Sequence, residues 1–387
     1  MTIQSTRRDI LKGGLTVAGL SLLGVPEWAL PALAQGETLV PFTDLPDPLT
    51  LVRGPERRII DIRRIRGQFT PRDRFATTQH YGHPVIDPAT YQLHVSGLVD
   101  QALSLSLDEL RAMPSREIVV GFECSGNRGP INGLSGNGRW TGVPLRTVLD
   151  RAGVKPDAKE FVFFGADRGE EEVQFRGQTF TVEQQYGRSL AREKALSSEP
   201  ILVYALNGEP LTRHQGFPLR LLVPGWYGMA LVKWLAEIHV QEDRYLGKFQ
   251  ARHYRTLKGE MVNGEMKWKE TAISTMQLKS FIARVTANSN GHRVFGVVLN
   301  DGTAIRSVEV KVDDGPWQPA TMDPRTSEKY SWKFFTYDWH GATAGEHTVV
   351  SRATDVNGTV QPTAEELEIK KTFLEHNAQH PRTVMIA

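Results

Sequence analysis

Short runs rich in β-branched and aromatic residues recur between residues 91 and 241. Runs of this length, separated by turn residues or charged segments, predict strands. Two segments between them, 107–113 and 144–152, predict short helices, and Ser106 is a suitable N-cap for the first. The mixture predicts an α+β domain with a mostly buried sheet. The predicted strands cover residues 91–95, 118–120, 161–164, 201–204 and 219–223.

The pattern changes after Met276, where strand-like runs follow one another at near-regular spacing. Turn sequences such as Asn300-Asp301-Gly302 separate these runs. Such spacing predicts a β-sandwich of about 100 residues with immunoglobulin-like architecture. The segment holds no obvious chemical cluster, so we expect it to pack or to dimerise. The predicted strands cover residues 281–286, 293–299, 307–312, 332–337 and 346–354.

The N-terminus carries the features of an export signal. Arg7 and Arg8 precede a weakly apolar stretch over residues 13–25, and Ala32-Leu33-Ala34 forms an A-x-A cleavage pattern. The alternative is a short membrane anchor, but the apolar stretch falls short of the roughly 20 residues that span a bilayer. We therefore expect a twin-arginine signal over 1–34, a catalytic domain over 35–265 and the sandwich over 270–387. The mature protein is expected in the periplasm, without a membrane span.

Composition excludes several classes of function. The net charge of +2 argues against a nucleic-acid binder, which needs a concentrated basic face. The single cysteine, Cys124, excludes an intrachain disulfide, C-x-x-C-H haem attachment and cysteine-ligated iron–sulfur clusters. We therefore expect no haem in this chain, so that any electrons leave to a partner.

Cys124 lies in a glycine-rich segment, Gly121-Phe122-Glu123-Cys124-Ser125-Gly126-Asn127-Arg128-Gly129. One interpretation is a buried small hydrophobe, a common fate of free cysteine. The other is a reactive or metal-binding thiol, because glycines let the backbone approach a bulky ligand and a neighbouring arginine lowers the thiol pKa. The export signal favours the interpretation of Cys124 as a cofactor ligand, since the twin-arginine pathway exports folded proteins, often because a cofactor is inserted in the cytoplasm. A cysteine nucleophile would need a base such as His80 or His83, but no spacing links either to Cys124.

Several ordered blocks resemble the sulfite oxidase family of molybdopterin enzymes, from about Phe75 to the C-terminus. They are the Cys-x-Gly-Asn-Arg block at Cys124, Asn207-Gly208-Glu209-Pro210-Leu211, the run from Gly216 to Gly225, and Val232-Lys233-Trp234-Leu235. The resemblance implies a molybdopterin-binding domain of the sulfite oxidase fold followed by the dimerising sandwich. It also implies that Cys124 supplies one thiolate to molybdenum, with two sulfurs from the pterin dithiolene. In this family a sulfur substrate is oxidised with water as oxygen source, and electrons leave singly to a cytochrome.

The resemblance carries over further positions one by one. It implies that Arg220 and Lys233 hold the pterin phosphate and that Asp167 contacts the pterin. Asn127 and Arg128, which follow the ligand, and His80 and Gln215 are also placed at the cofactor. Tyr254 matches the tyrosine beside the metal, whose phenol can donate a hydrogen bond. Arg139 and Arg382 are placed at the substrate pocket, where Trp140, Arg252 and Arg255 are further candidates.

Three departures concern the substrate more than the cofactor. Thr78 and Gly129 stand where the family has arginines that hold the sulfite oxyanion, and Gln215 stands where it has a pterin-contacting histidine. Because each charge-assisted hydrogen bond contributes about 1.5–3 kcal/mol, we expect weaker sulfite binding unless other cations substitute. These departures predict a natural substrate that is larger or less charged than sulfite.

Three functional hypotheses follow. The first is a periplasmic, homodimeric sulfite-oxidising enzyme. The second keeps the cofactor but acts as the sulfane dehydrogenase subunit of a thiosulfate-oxidising system or as a sulfoxide reductase. The third is a cofactor-free binding protein, which leaves the export signal and the phosphate-binding blocks unexplained.

Overall fold

The computed structural model describes residues 36–52 and 57–387. The predicted signal over 1–34 therefore lies outside the described residues. Among those residues, no helix is long and apolar enough to cross a membrane.

The described chain is built mainly of strands. The strands are β1 Thr38–Val40, β2 Arg57–Arg58, β3 Thr77–Thr78, β4 Gln92–Gly97, β5 Leu103–Ser106, β6 Arg116–Glu123, β7 Ser135–Pro144, β8 Glu160–Phe175, β9 Gln178–Ala191, β10 Ile201–Leu206, β11 Glu209–Pro210, β12 Arg220–Leu222, β13 Leu235–Gln241, β14 Arg255–Val262, β15 Glu265–Ala272, β16 Lys279–Asn288, β17 Gly291–Leu299, β18 Ile305–Val312, β19 Gln318–Pro319, β20 Thr321–Met322, β21 Lys333–Trp339, β22 Gly345–Asp355 and β23 Arg382–Ile386.

Helices contribute less than the predicted α+β domain implies. The α-helices in the described residues are α1 Leu107–Ala112, α2 Leu145–Ala152, α3 Arg192–Ala195 and α4 Lys248–Ala251. Only α1 and α2 exceed four residues, and both lie where the sequence predicts them. Ser106 caps α1 through a reciprocal capping box with Glu109. Most strand pairs are antiparallel and joined by short turns, which leaves few crossovers for helices to fill.

Two five-stranded sheets form the part of the chain that holds the chemical motifs. One has the order β5-β4-β13-β8-β9, in which only the β4–β13 pair is parallel. The other runs β11-β10-β7-β6, with β12 also pairing with β10. Leu93, Trp140, Phe161 and Leu221 belong to the core that these sheets and α1 and α2 share, and each is fully buried.

The C-terminal strands form two facing sheets, as the spacing predicts. Their orders are β1-β16-β17-β21-β20 and β19-β18-β22-β23. Ile282, Val294 and Phe335 from the first sheet pack on Val310 and Val349 from the second in a separate apolar core. Strand β1 adds an N-terminal segment to the first sheet by pairing with β16.

The sheets of the two parts contact each other through backbone and side-chain bonds. The Gly121 N–H of β6 donates to the Tyr330 carbonyl at 2.8 Å, and the Trp332 N–H donates to Asn137 Oδ1 at 3.2 Å. The boundary predicted between residues 265 and 270 falls within β15, which pairs with β14 as a hairpin. The end of β6, where Cys124 follows, is therefore held against the C-terminal part.

Candidate active site

A cavity opens at the carboxyl end of β6 and encloses about 830 Å³, its mouth included. Ligand pockets commonly combine apolar walls with a few polar groups, as this cavity does. The residues that line it, from several separate segments of the chain, are Ala76, Thr77, Thr78, Gln79, His80, Phe122, Cys124, Leu134, Asp167, Tyr186, His214, Gln215, Arg220, Gly228, Met229, Leu231, Lys233, Trp234 and Tyr254. The structure thus brings together seven of the eleven predicted site residues, which are His80, Cys124, Asp167, Gln215, Arg220, Lys233 and Tyr254.

Cys124 follows β6 directly and lines the cavity. Its N–H donates to the Leu134 carbonyl at 2.9 Å, and its carbonyl accepts from the Asn127 N–H at 2.8 Å. Burial raises the pKa of the Cys124 thiol, while a backbone hydrogen bond from Gly126 and the charge of Arg57 oppose that rise. The expectation that Arg128 lowers this pKa is wrong, because Arg128 is exposed and its guanidinium lies 5.7 Å from the ring centre of Phe373. A metal would stabilise the thiolate more strongly than these groups do.

A buried polar network lies behind Cys124 and fixes its loop. Glu123 and Lys279 form an ion pair at 3.0 Å, and both side chains are at most 2% exposed. Asn127 Nδ2 donates to Glu123 Oε2 at 2.8 Å, and Asn127 Oδ1 accepts from the Leu134 N–H at 2.9 Å. Asn127 is therefore a loop-fixing residue rather than a lining residue, which corrects its predicted place at the cofactor. Buried ion pairs require such additional hydrogen bonds to offset desolvation.

Two cations line the cavity. Arg220 donates to the carbonyls of Gln215 and Leu231, each at 3.0 Å, and its guanidinium lies over the rings of Phe122 and Trp140. Burial lowers the pKa of Arg220 to about 9, so it remains a cation at neutral pH.

Lys233, the second cation, draws three segments of the wall together. Its Nζ donates to Thr77 Oγ1 at 3.1 Å, to Gln79 Oε1 at 3.1 Å and to the His214 carbonyl at 3.2 Å. The ammonium also lies 4.3 Å from the ring centre of Trp234. These contacts fix a positive charge at the wall of the cavity, as an anionic phosphate requires.

Asp167 is almost fully buried in the same wall. Burial raises the pKa of its carboxyl to about 6, and the charge of Lys233 opposes this rise. Asp167 Oδ1 and Arg220 Nε are buried and have no hydrogen-bond partner among residues 36–52 and 57–387. Because buried polar atoms are normally satisfied, this unpartnered pair indicates a polar ligand in the cavity.

Tyr254 and His80 form a hydrogen-bonded pair at the side of the cavity near Cys124. Tyr254 Oη and His80 Nε2 are 2.8 Å apart. Burial raises the pKa of Tyr254 well above its usual range. Burial, with the charges of His253 and Lys248, lowers the pKa of His80 to about 4. The pair is therefore a neutral phenol and a neutral imidazole at neutral pH, which can hold and orient a proton.

Gln215 lines the cavity, but its amide is engaged in the wall. Gln215 Oε1 accepts from the Thr212 N–H at 2.9 Å, and Nε2 donates to the Arg72 carbonyl at 2.5 Å. His214 lines the cavity beside it, and its ring meets the His83 ring edge-on with centres 4.5 Å apart. Gln215 stands where the resembled family has a pterin-contacting histidine. Its amide stabilises the cavity wall through these two hydrogen bonds.

Arg139 and Arg382 do not reach the cavity, which corrects both predictions. Arg139 lies on β7 with its Nε 3.4 Å from Glu117 Oε1 and its guanidinium over the Phe69 ring. Arg382 lies on β23, fully buried, and pairs with Asp44 at 3.1 Å. Arg382 also donates to the Pro130 carbonyl. It therefore ties the N-terminal segment to the far end of the Cys124 loop.

His380 fills the space beside Gly129, where the resemblance has an arginine. A Cβ on Gly129 would lie 2.6 Å from His380 Nδ1, so no side chain fits there without displacing the ring. Thr78 lines the cavity, but it carries only a hydroxyl. Neither family arginine position therefore offers a cation.

Sequence reasoning missed Tyr186 and Arg57. The ring of Tyr186 stacks on His80 with centres 5.7 Å apart, and its hydroxyl donates to the Met229 carbonyl at 2.6 Å. Arg57 lies on β2, directly opposite Thr78 on β3. No local motif marks either residue, because Tyr186 reaches the cavity through packing of distant strands and Arg57 acts on Cys124 only through its charge.

The cavity suits a molybdenum–pterin group. Among the described residues, no three His, Cys, Asp or Glu side chains converge to hold a metal ion. A metal held here by the Cys124 thiolate would take further ligands from a bound organic group. Arg220 Nε and Asp167 Oδ1 lack hydrogen-bond partners in the described residues, and Lys233 lies nearby. A bound cofactor of this kind would form hydrogen bonds with them.

Comparison with known proteins agrees with this geometry. Residues 80–249 match the family described as oxidoreductase molybdopterin binding domain. The mitochondrial sulfite oxidase of Homo sapiens is 32% identical over 326 residues, covering 76% of this chain and 57% of that protein. The mitochondrial sulfite oxidase of Rattus norvegicus is 30% identical over 327 residues, with the same two coverages. This chain therefore spans just over half the length of these relatives.

Two further similarities extend the comparison. The sulfite oxidase of Arabidopsis thaliana is 26% identical over 339 residues and is covered to 82% of its length. The crystal structure of the sulfane dehydrogenase SoxCD from Paracoccus pantotrophus superposes with a TM-score of 0.71 at 23% identity, covering 100% of this chain and 96% of that chain. At that identity the superposition establishes the fold. The sequence matches, together with the fold and the cavity geometry, show that the chain belongs to the sulfite oxidase family of molybdopterin oxidoreductases.

Proposed function

We propose that the protein is a molybdopterin-dependent oxidoreductase that oxidises sulfite, or a closely related small sulfur compound, to sulfate. Water is the oxygen source, and a separate c-type cytochrome accepts the electrons. The observation that carries the proposal is the cavity in which the Cys124 thiol, the Tyr254–His80 pair and the Arg220–Lys233 wall converge. The sulfite oxidases that this chain resembles supply the substrate class.

Different residues of the cavity would bind the metal, the phosphate and the pterin ring of the cofactor. When bound, the molybdenum cofactor would supply two-electron oxidation of the substrate sulfur. Cys124 would hold the metal as thiolate, while Arg220 and Lys233 would bind the pterin phosphate and Asp167 a pterin donor group. The apolar residues Phe122, Leu134 and Met229 limit water in the same cavity, which strengthens these charge interactions.

Tyr254 and His80 would position a proton near the reacting oxygen. Because the pKa of Tyr254 is raised and that of His80 is lowered to about 4, neither changes its charge between pH 5 and 8. The pair can therefore donate one hydrogen bond toward the reacting oxygen without adding charge. The stack of His80 on Tyr186 holds the imidazole in place.

The test is sulfite-dependent reduction of ferricyanide and of a c-type cytochrome by protein whose molybdenum content has been measured. Saturable turnover in proportion to molybdenum content is the expected result. Loaded protein that leaves both acceptors oxidised in the presence of sulfite would exclude sulfite as substrate. Such a result would leave the cofactor assignment intact.

A second candidate keeps the cofactor and changes the substrate. Thr78 and the His380 ring at Gly129 replace two arginines that resemblance places around sulfite, and this favours a larger or less charged sulfur group. The chain would then act as a sulfane dehydrogenase subunit on a partner-bound substrate, or as a sulfoxide reductase. Turnover that requires a carrier protein would identify the first, and reduction of methionine sulfoxide by an artificial donor the second.

Export and dimerisation are further parts of the proposal. Residues 1–34 would direct the folded, loaded protein to the periplasm, and mass spectrometry of the periplasmic form should find Gln35 at its N-terminus. The sandwich would form a two-fold dimer, the commonest oligomer symmetry. Light scattering of the full-length protein should give twice the mass of one chain.

A further inference from the structure

A buried arginine lies behind the Tyr254–His80 pair. Arg188, on β9, is only 2% exposed and is not among the residues that line the cavity. Its hydrogen-bond partners in the described part of the chain are two main-chain carbonyls rather than acids. Arginines are almost never fully buried unless they are paired. The burial of this cation without an acid partner therefore indicates a specific role.

Arg188 binds two segments that flank Tyr254. Its guanidinium donates to the Phe249 carbonyl in α4 and to the Ile273 carbonyl, the second at 3.1 Å. The Ile273 N–H in turn donates to the Tyr254 carbonyl at 3.1 Å. Arg188 therefore joins the helix that precedes Tyr254 to the segment whose backbone pairs with Tyr254.

The guanidinium of Arg188 also lies over the ring of Tyr254. Its central carbon is 5.9 Å from the ring centre, within the range of a cation–π contact, and such contacts are stronger where water is excluded. A planar guanidinium can contact a ring and donate to two carbonyls at the same time. A shift of the Tyr254 ring would therefore weaken a contact that Arg188 holds from a fixed position.

Strand β9 supports both members of the Tyr254–His80 pair. Tyr186 and Arg188 are two residues apart on this strand, so their side chains leave it on the same face. The ring of Tyr186 stacks on His80, while Arg188 lies over Tyr254. The Phe249 ring, whose backbone Arg188 binds, packs on His80 with centres 4.5 Å apart. One face of one strand thus supports the imidazole and the phenol, whose polar atoms are 2.8 Å apart.

We infer that Arg188 is a positioning residue that holds the Tyr254 hydroxyl within hydrogen-bond distance of His80, at the edge of the cavity. This inference rests on the proposed function for the reaction that the pair serves. Arg188 acts through Tyr254 and does not itself line the cavity. Because a misplacement of about 1 Å can lower a rate about a hundredfold, loss of this support should reduce turnover.

The test compares Arg188→Met, Tyr254→Phe and the double variant Arg188→Met/Tyr254→Phe with the wild type, all loaded with molybdenum. Arg188→Met should lower kcat for sulfite about tenfold or more, with little change in KM. In the Tyr254→Phe background the same substitution should change kcat by less than about twofold, because the hydroxyl that Arg188 positions is already absent. A residue that only stabilised the fold would lower kcat equally in both backgrounds.

Two further variants control for the loss of a buried arginine. Arg284→Met removes a buried arginine that donates to the Ile65 carbonyl and lies over the Phe295 ring, in β16 of the C-terminal sheets. It should leave kcat per molybdenum close to that of the wild type. Arg188→Lys keeps the charge but lacks the planar fork, so it should retain part of kcat. If Arg188→Met does not fold, Arg188→Lys takes its place in the comparison with and without Tyr254→Phe.

A crystal structure of the Arg188 variant gives a readout that does not depend on turnover. Tyr254 Oη should lie more than about 3.5 Å from His80 Nε2, beyond hydrogen-bond distance. An unchanged distance between these two atoms, or an equal fall in kcat with and without Tyr254→Phe, would overturn the inference. If loaded wild type fails to oxidise sulfite, the proposed function fails, while displacement of Tyr254 in the variant would still support Arg188 as its positioning residue.

Discussion

Lys279, the first residue of β16, donates a hydrogen bond from its ammonium to the carboxylate of Glu123 at 3.0 Å, directly behind the candidate metal ligand Cys124. The same ammonium donates to the Asn127 carbonyl at 3.0 Å. The first strand of the C-terminal sheet pair thus helps to position the loop that carries the thiol. The β-sandwich is therefore part of the support of the active site as well as a proposed dimer surface.

Removing one partner of this ion pair should destabilise the protein. Lys279→Met leaves the Glu123 carboxylate buried without its cation, a change that typically costs about 3–5 kcal/mol. The free energy of unfolding in urea should fall accordingly, and molybdenum content should fall with it because the Cys124 loop loses its anchor.

The double variant Lys279→Met/Glu123→Gln separates the cost of the unpaired buried carboxylate from the loss of the Lys279 anchor of the Cys124 loop. Without the buried charge, much of the lost stability should return, while the Asn127 amide can still donate to the amide oxygen that replaces the carboxylate. If Lys279→Met alone unfolds at the wild-type urea concentration, the pair does not contribute to stability as argued.

Cys124→Ser should abolish sulfite turnover while leaving much of the pterin bound. The contacts expected to hold the pterin come from Arg220, Lys233 and Asp167, which lie on other segments of the lining and are unchanged by this substitution. Pterin can be measured by fluorescence after denaturation, and molybdenum by elemental analysis. Full activity in Cys124→Ser would show that this thiol is not the ligand.

The strands were predictable from local pattern, whereas the long-range contacts were not. Runs such as 281–286 and 346–354 fall inside β16 and β22, and the predicted helices fall on α1 and α2. Local composition determines where strands form, since each run needs only its own alternation and flanking turns. The partners Glu123 and Lys279 lie 156 residues apart, and nothing near either residue in the sequence identifies the other.

The errors at Arg139 and Arg382 have specific physical causes. Successive side chains on a strand point to opposite faces, and in β7 the fully buried Trp140 faces the core beside Arg220, so Arg139 must face away. This alternation was readable from the sequence. The burial of Arg382 was not, because it depends on Asp44 and Pro130 from two distant segments.

Lys233→Met should reduce pterin retention several-fold. Loss of the ammonium removes a positive charge from the cavity wall and three bonds that join Thr77, Gln79 and His214. Lys329→Met is the control, because Lys329 is an exposed partner of Glu199 outside the cavity. Equal pterin content in the two variants would exclude Lys233 as a phosphate-binding residue.

Tyr254→Phe should lower kcat about tenfold or more with little change in molybdenum content. The substitution removes only the hydroxyl that lies 2.8 Å from His80 Nε2 and keeps the buried ring. Tyr204→Phe, outside the cavity lining, controls for loss of a phenol elsewhere. A kcat equal to wild type in Tyr254→Phe would show that the Tyr254–His80 hydrogen bond plays no part in turnover.

The pH dependence of stability should carry a contribution from His380. Burial, and then the charge of Arg382, lower the pKa of His380 to about 4, while Asp44 acts in the opposite direction. A histidine whose folded pKa lies below its unfolded value of about 6.5 contributes stability above that value. This contribution is lost as the pH falls from about 6.5 toward 4.

His380→Phe keeps a ring against Gly129 but removes this titration. The difference in unfolding free energy between wild type and variant should therefore shrink or reverse by about 2 kcal/mol between pH 7 and pH 4.5. His347→Gln should show the opposite sign, because a hydrogen bond to Asp313 raises the pKa of His347. The stability that His347 contributes is present at low pH and is lost as the pH rises through that raised pKa. Parallel stability curves for wild type and His380→Phe across this range would contradict the burial of a neutral His380 beside the Cys124 loop.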